Sequence, residues 1–230
     1  GAIEAWRKVM QLKPDDPEGY GRMGICLQRA RRFDESAAAF QRALSMDDDD
    51  AEYHYFLGVS LMQLDRDEEA VAAFEKAIGE RADDGALRAA LAIGYTQLGR
   101  LEDAEGAYAR AVELGQDDPH IHLNRGRVAE RLEHYEEAVK AYRRLTELEP
   151  NDEEGHRRLG GALFASEQYQ EALAPYQQAA LLSPKDPALR YQLGLCYAKL
   201  GNKKAATGQV KELEELDAAL AAELTSVLED

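Results

Sequence analysis

Leu57, Gly58 and Leu61 share one stripe at helical spacing, and Ala70, Phe74 and Ala77 share a second. This spacing predicts two helices, Ala51 to Leu64 and Glu68 to Arg81, with their apolar stripes facing each other. The hairpin then recurs. Asp16, Asp50, Asp84, Asp118, Asp152 and Asp186 stand 34 residues apart, as do Gly24, Gly58, Ala92, Gly126, Gly160 and Gly194. A third register holds Ser36, Ala70, Ala104, Ala138, Ala172 and Ala206. A fourth holds Phe40, Phe74, Tyr108, Tyr142 and Tyr176, with Trp6 before it in phase and Val210 after it.

Each register has a physical reading. An Asp before a helix caps the free N–H groups of the first turn. Pro17, Pro119 and Pro187 follow at the first helical position, where a missing N–H costs nothing. Gly inside a helix costs about 1 kcal/mol relative to Ala, so a small residue kept there predicts a second helix crossing closely. The aromatic four residues after the second small register lies on the same face and would fill the gap. Gly99 and Gly201 are expected to end first helices, and Pro14, Pro150 and Pro184 to end second ones. A lone hairpin has no second layer to bury its stripe, so the units must stack as a solenoid.

On these registers the chain resembles the tetratricopeptide repeat family. That family's pattern has Leu-Gly at positions 7 and 8, Ala at 20, an aromatic at 24 and Ala at 27. The second unit matches with Leu57-Gly58, Leu61, Ala70, Phe74 and Ala77, and the sixth with Leu193-Gly194, Tyr197 and Ala206. The resemblance implies an all-α, right-handed superhelical solenoid of antiparallel helix pairs. Six repeats are expected at 17–50, 51–84, 85–118, 119–152, 153–186 and 187–220, after a partial repeat at 1–16. A capping helix is expected at 218–230, its apolar face on the array and Glu223, Glu229 and Asp230 in water. Since the chain begins inside a helix that lacks its partner, upstream residues are expected to complete a further repeat.

Several positions depart from the family pattern. Arg125 stands where a core Leu is usual, with snorkelling to the edge as its expected solution. Pro175 lies inside a second helix, where a kink is expected. Position 4 holds Tyr20, His54, Arg88, His122, His156 and Arg190, so it is expected to be half-buried.

Composition narrows the function class. Asp and Glu total 44 against 28 Lys and Arg, a formal net charge of -16, which argues against nucleic acid as the main partner. No apolar run has the length of a membrane span, and no signal peptide stands at the start, which leaves a cytoplasmic protein, or one at the periplasmic side of a bacterial envelope, as the expectation. Motifs for catalysis, metal or phosphate binding are missing, so no enzyme activity, metal or cofactor is expected. His120 and His122 point away from a shared face, and the Asp47 to Asp50 run lacks the mid-loop Gly and distal Glu of a calcium loop. Cys26 and Cys196 occupy equivalent slots five repeats apart and are expected as buried free thiols.

The informative surface is the second stripe of each first helix, at positions 2, 5, 9 and 12. In this family it lines a concave groove that binds peptides. Here it starts apolar and aromatic, with Tyr55, Val59 and Met62, Phe56 beside them, then Ala89 and Ile93. It turns arginine-rich, with Arg127 and Arg157 flanked by Asn124, Arg131 and Arg158, and then carries Phe164, Tyr191 and Leu195. The second repeat carries a charge of -6 and the fourth -1, so a local basic patch is expected inside an acidic body. Such a groove would take a peptide or protein segment that is apolar or aromatic and acidic, because guanidinium forks match carboxylates. The arginines could instead pair with Glu130 and Glu154, and the apolar residues could pack on neighbouring repeats. The carboxylate clamp of chaperone-binding relatives is not reproduced, since Gly21 and Ile25 occupy its first positions; nor is the Asn ladder of glycosyl-transferring ones. The resulting expectation is a non-enzymatic scaffold or adaptor in the assembly or regulation of a bacterial complex. Its rivals are a regulatory region of a larger enzyme and an array that self-associates through its exposed first helix.

Overall fold

The computed structural model describes residues 1–229. Those residues form fourteen helices and no strand. They are α1 (Ala2–Leu12), α2 (Pro17–Arg29), α3 (Phe33–Leu44), α4 (Ala51–Met62), α5 (Asp67–Glu80), α6 (Gly85–Gln97) and α7 (Leu101–Glu113). Then follow α8 (Pro119–Arg131), α9 (Tyr135–Leu148), α10 (Glu153–Ala165), α11 (Tyr169–Leu182), α12 (Pro187–Lys199), α13 (Lys203–Leu216) and α14 (Ala218–Glu229). Contacts divide the chain into two units, Gly1–Asp117 and Asp118–Asp230. Asp230, placed in water by the sequence reading, lies outside the described residues.

In the first unit α2 pairs with α3, α4 with α5 and α6 with α7, while α1 packs on α2. Helix α3 also packs on α4 and α5 on α6, and α4 touches both α2 and α6. The first helices α2, α4 and α6 therefore form one row and the second helices another. In the second unit α8 pairs with α9, α10 with α11 and α12 with α13, and α14 covers α12 and α13.

The ring registers make the core. A Cβ at Gly24 would stand 2.8–3.0 Å from the Phe40 ring, and one at Gly160 2.8–2.9 Å from the Tyr176 ring. Phe74 sits against Gly58 and Tyr142 against Gly126 in the same way, and these four rings are at most 3% exposed. The last pair has Val210 where a ring is needed. There Leu224 of α14 lies against Gly194 instead and is fully buried. The last helix thus supplies both a lid and the side chain that the sixth repeat lacks.

Helix ends follow the same period. The Asp50, Asp84, Asp118, Asp152 and Asp186 carboxylates each accept from a backbone N–H in the first turn of the helix that follows, whereas Asp16 makes no such bond. Gly99 and Gly201 have φ of +73° and +70°, the left-handed geometry that ends a helix. Arg31, Asp65, Glu133 and Glu167 take the same geometry at equivalent positions, with φ between 56° and 62°. Those four were not legible as stop signals, because side chains rarely adopt this region.

Two expectations change. His54 and His122 at position 4 are buried, at 5% and 2% exposure, while Tyr20, Arg88, His156 and Arg190 are half-buried. The role of this position is polar: the His54 and His156 rings hydrogen-bond the Asp48 and Pro150 carbonyls at 2.8 and 2.9 Å, and Arg88 donates to the Ala82 carbonyl at 3.3 Å. Each reaches back six residues and pins the turn between repeats. Cys26 is only half-buried, whereas Cys196 is buried and its thiol is pushed up to about 12 by burial. As expected, Pro175 lies inside a second helix, α11, where it has no N–H to give the Glu171 carbonyl.

Candidate functional site

The row of first helices in the first unit presents the apolar stripe. Tyr55, Phe56, Val59 and Met62 of α4 are all half-buried and pack against the unit's core. Phe56 stacks on Phe40 with ring centroids 5.7 Å apart and planes 17° apart. Tyr55 sits 5.4 Å from Phe56 and 6.0 Å from Phe74, and its burial raises the phenol's pKa. Ala89 is buried, and Ile93 on α6 is 36% exposed. The notch at Gly21 of α2 is filled by the Tyr53 ring.

Beneath this stripe runs a polar chain that sequence reasoning missed. Ser36 donates to the Gly24 carbonyl at 2.9 Å and lies 3.0 Å from the Ser60 hydroxyl. Gln28 donates to Ser60 and to the Phe56 carbonyl, at 3.1 and 3.2 Å. Its signal was the Ser36 that replaces Ala in the third register, with Ser60 two residues after Gly58.

In the second unit Arg127, Arg157 and Arg158 are paired. Glu154 accepts from Arg127 at 3.3 Å, from Arg158 at 2.5 Å and from Arg157. Arg157 also lies 3.4 Å from Glu153, and Arg158 donates to Glu130 at 2.8 Å. Glu130 accepts a further bond from the Tyr142 hydroxyl at 2.8 Å, and burial with that carboxylate raises the pKa of this phenol. Three guanidiniums thus face Glu130, Glu153 and Glu154, and the expected net basic patch is cancelled by carboxylates of the same two helices. Arg131 is exposed and Asn124 half-buried, and neither makes a side-chain hydrogen bond among the described residues. Arg125 donates to Glu137 at 2.9 Å and stays only 16% exposed, so an ion pair satisfies it in place of the expected snorkelling to the edge.

The far end of the stripe packs in part against α14. Tyr191 and Leu195 pack against the cluster of Val210, Leu213, Ala221 and Leu224, and the Tyr191 hydroxyl donates to Glu223 at 2.6 Å. The hydrogen bond to Glu223 raises the Tyr191 pKa. Helix α14 therefore packs beside these two residues, which stay half-buried. Phe164 is half-buried, edge-on to Tyr169 at 5.1 Å. No group of three or more metal-ligating side chains stands together among the described residues. No described helix is long and apolar enough to cross a membrane.

Comparisons agree with this architecture. Tetratricopeptide repeat models match residues 22–86, 89–153, 123–187 and 163–226. No curated protein sequence matches the chain. Among solved structures, YrrB, described as a TPR protein with an unusual peptide-binding site, superposes with a TM-score of 0.72 at 22% identity over 83% of this chain and 99% of that one. A MamA protein superposes with a TM-score of 0.67 at 18% identity over 74% of this chain and 92% of that one. The MamA fragment of Desulfovibrio magneticus RS-1 gives 0.60 at 18% identity, over 74% and 96%. With repeat models spanning most of its length and helix pairs built on the same registers, the chain belongs to the tetratricopeptide repeat family.

Proposed function

We propose that this chain is a non-catalytic adaptor that holds a segment of a partner protein against its row of first helices, in the assembly or regulation of a larger complex. One observation carries the reading. Tyr55, Val59, Met62 and Ile93 remain partly exposed on one face after the core has taken its share of them. A helix face that meets only water is polar, so apolar side chains standing there are suited to a partner's side chains. The peptide-binding site attributed to YrrB, a protein of like fold, supports the same use of the scaffold. Ala89 belongs to the same face of the first unit. The row of first helices in the second unit carries Asn124, Arg127, Arg131, Arg157, Arg158 and Phe164, with Tyr191 and Leu195 half-buried beside α14.

The test is site-specific photo-crosslinking in the source cells. A photoreactive residue at Ile93 is expected to give a discrete crosslinked product, and one at the exposed Ala72 of α5, on the other row, is not. Equal products from both positions, or a product from Ala72 alone, would move the binding surface off this face.

A further inference from the structure

The occupant expected from sequence was acidic. The charges of the first unit point the other way. At the N-terminal end of α4 the surface opens into a cleft of about 500 Å³, with Ile25 and Tyr53 as its apolar lining and Glu18, Asp47, Asp50 and Glu52 as its acids. A second hollow of about 640 Å³ shares Asp47, Asp50 and Glu52 and adds Asp49. Only two guanidiniums line these hollows, and both are engaged. Arg22 donates to Glu18 at 2.6 and 2.9 Å, and Arg81 pairs with Asp84 at 2.9 Å. Asp50 caps α4 by accepting from the Glu52 and Tyr53 N–H groups. Asp47, Asp49 and Glu52 are exposed and make no ion pair among the described residues.

We infer that the segment held by α2, α4 and α6 is basic at one end and apolar at the other, which rests on the reading of this face given above. The apolar groove supplies the contact, and the charge surplus at its rim selects the occupant. Glu52, Tyr55, Val59 and Met62 succeed one another along a single stripe of α4. At 1.5 Å rise per residue, the acidic end and Met62 are about 15 Å apart. An extended segment crosses that distance in about four or five residues. The matching ligand therefore carries Lys or Arg some four residues from a large apolar side chain. The α4 macrodipole opposes a cation at this end by about half a charge, but it is outnumbered by three unpaired carboxylates. These exposed charges are screened within about 10 Å in ordinary salt, so they act on a residue docked at the rim and not on the partner as a whole.

The experiment is a selection of random displayed peptides on the full chain, followed by titration of the selected peptides. Enriched sequences are expected to combine Lys or Arg with Leu or aromatic residues at the stated separation, and to bind more weakly as salt rises. Asp47→Asn, Asp49→Asn and Glu52→Gln together should weaken them by about tenfold while circular dichroism stays unchanged. A Lys204→Gln, Lys211→Gln variant of α13, on the row of second helices, should leave their affinity as it was. Acidic peptides that are lost in an Arg127→Gln, Arg131→Gln variant would overturn the inference and leave the adaptor reading intact. Basic peptides that bind the triple variant as well as the native chain would overturn the inference alone. A selection that enriches nothing would overturn both.

Discussion

Gly160 and Gly161 are neighbours in α10, yet replacing each by Ala should shift stability in opposite directions. Any Gly→Ala change inside a helix gains about 1 kcal/mol, because the unfolded chain loses freedom that the helix does not use. At Gly161 nothing offsets the gain: the new methyl would meet only the Tyr176 hydroxyl, at an ordinary 3.7 Å. At Gly160 it would stand 2.8 Å from Cγ and Cδ1 of Tyr176 and 2.9 Å from Cδ2. Those atoms are at the root of the ring, where a swing about χ2 gives no relief. The ring is 3% exposed and has nowhere to retreat. Overpacking of this kind costs about 1–3 kcal/mol. Gly161→Ala should therefore stabilise the protein by about 1 kcal/mol, and Gly160→Ala should destabilise it by up to about 2 kcal/mol after the same gain is subtracted. The gap between the two variants isolates the packing term, since the unfolded-state contribution is common to both. Equilibrium urea unfolding of the full chain, followed by far-ultraviolet circular dichroism, measures it through the midpoint at constant slope. Two variants of equal stability, or a stabilised Gly160→Ala, would refute the claim that the small register exists to admit the rings.

Three further outcomes follow from the same coordinates. A Cβ at Gly99 would meet nothing within 4 Å, so Gly99→Ala should cost about 1 kcal/mol through backbone geometry alone, while Glu133→Gly at the equivalent site should be neutral or gain up to about 1 kcal/mol; thermal unfolding of both variants checks the pair. The hydrogen bond from Lys140, with the Arg125 charge behind it, holds Glu137 below the usual carboxylate range. Its contribution is therefore present above the unfolded pKa of about 4.3 and fades as pH falls through the lowered folded value, so the stability deficit of Glu137→Gln should shrink in acid; urea midpoints from neutral pH downward test the sign. Cys196 is fully buried with its thiol pushed up to about 12, so native protein treated with iodoacetamide should leave it unmodified and denatured protein should not, as intact mass will show.

The fold was legible because its determinants are local and periodic. Asp at the cap, a small residue at the crossing and a ring four residues beyond the second small residue each act over one hairpin. Six copies in phase removed the ambiguity that any one would carry. What escaped is what the repeat does not repeat. The left-handed residues Arg31, Asp65, Glu133 and Glu167 share a position but no side-chain chemistry, so only the glycine versions of that turn could be read. Position 4 looked half-buried because it holds His and Arg. His54, Arg88 and His156 reach a turn carbonyl six residues back, a contact with no signature in hydropathy. Val210 broke the ring register visibly, but its consequence, Leu224 arriving from α14, depends on how the last helix folds back.

The candidate surface was legible as a stripe and misread as a charge, for a geometric reason. Reading one helix face at a time counts Arg127, Arg157 and Arg158 as a patch and sets Glu130 and Glu154 beside them as neighbours of unknown effect. The pairs that cancel the patch are of two kinds. Glu154 with Arg157 and Arg158 is an i,i+3 and i,i+4 contact that helical spacing alone supplies. Arg127 with Glu154 and Arg158 with Glu130 span 27 and 28 residues, nearly one repeat, and form because stacking brings successive first helices together. The same rule applied to the first unit gives the opposite outcome. Glu18 finds Arg22 four residues on, but Glu52 has Phe56 at that spacing and Tyr55 one position earlier. With no cation at either spacing, its charge stays open to whatever the groove holds. Charge on a repeat surface is thus assigned by pairing within and between periods, and the residues left over, acidic here beside an apolar floor, are the ones that can recognise a partner.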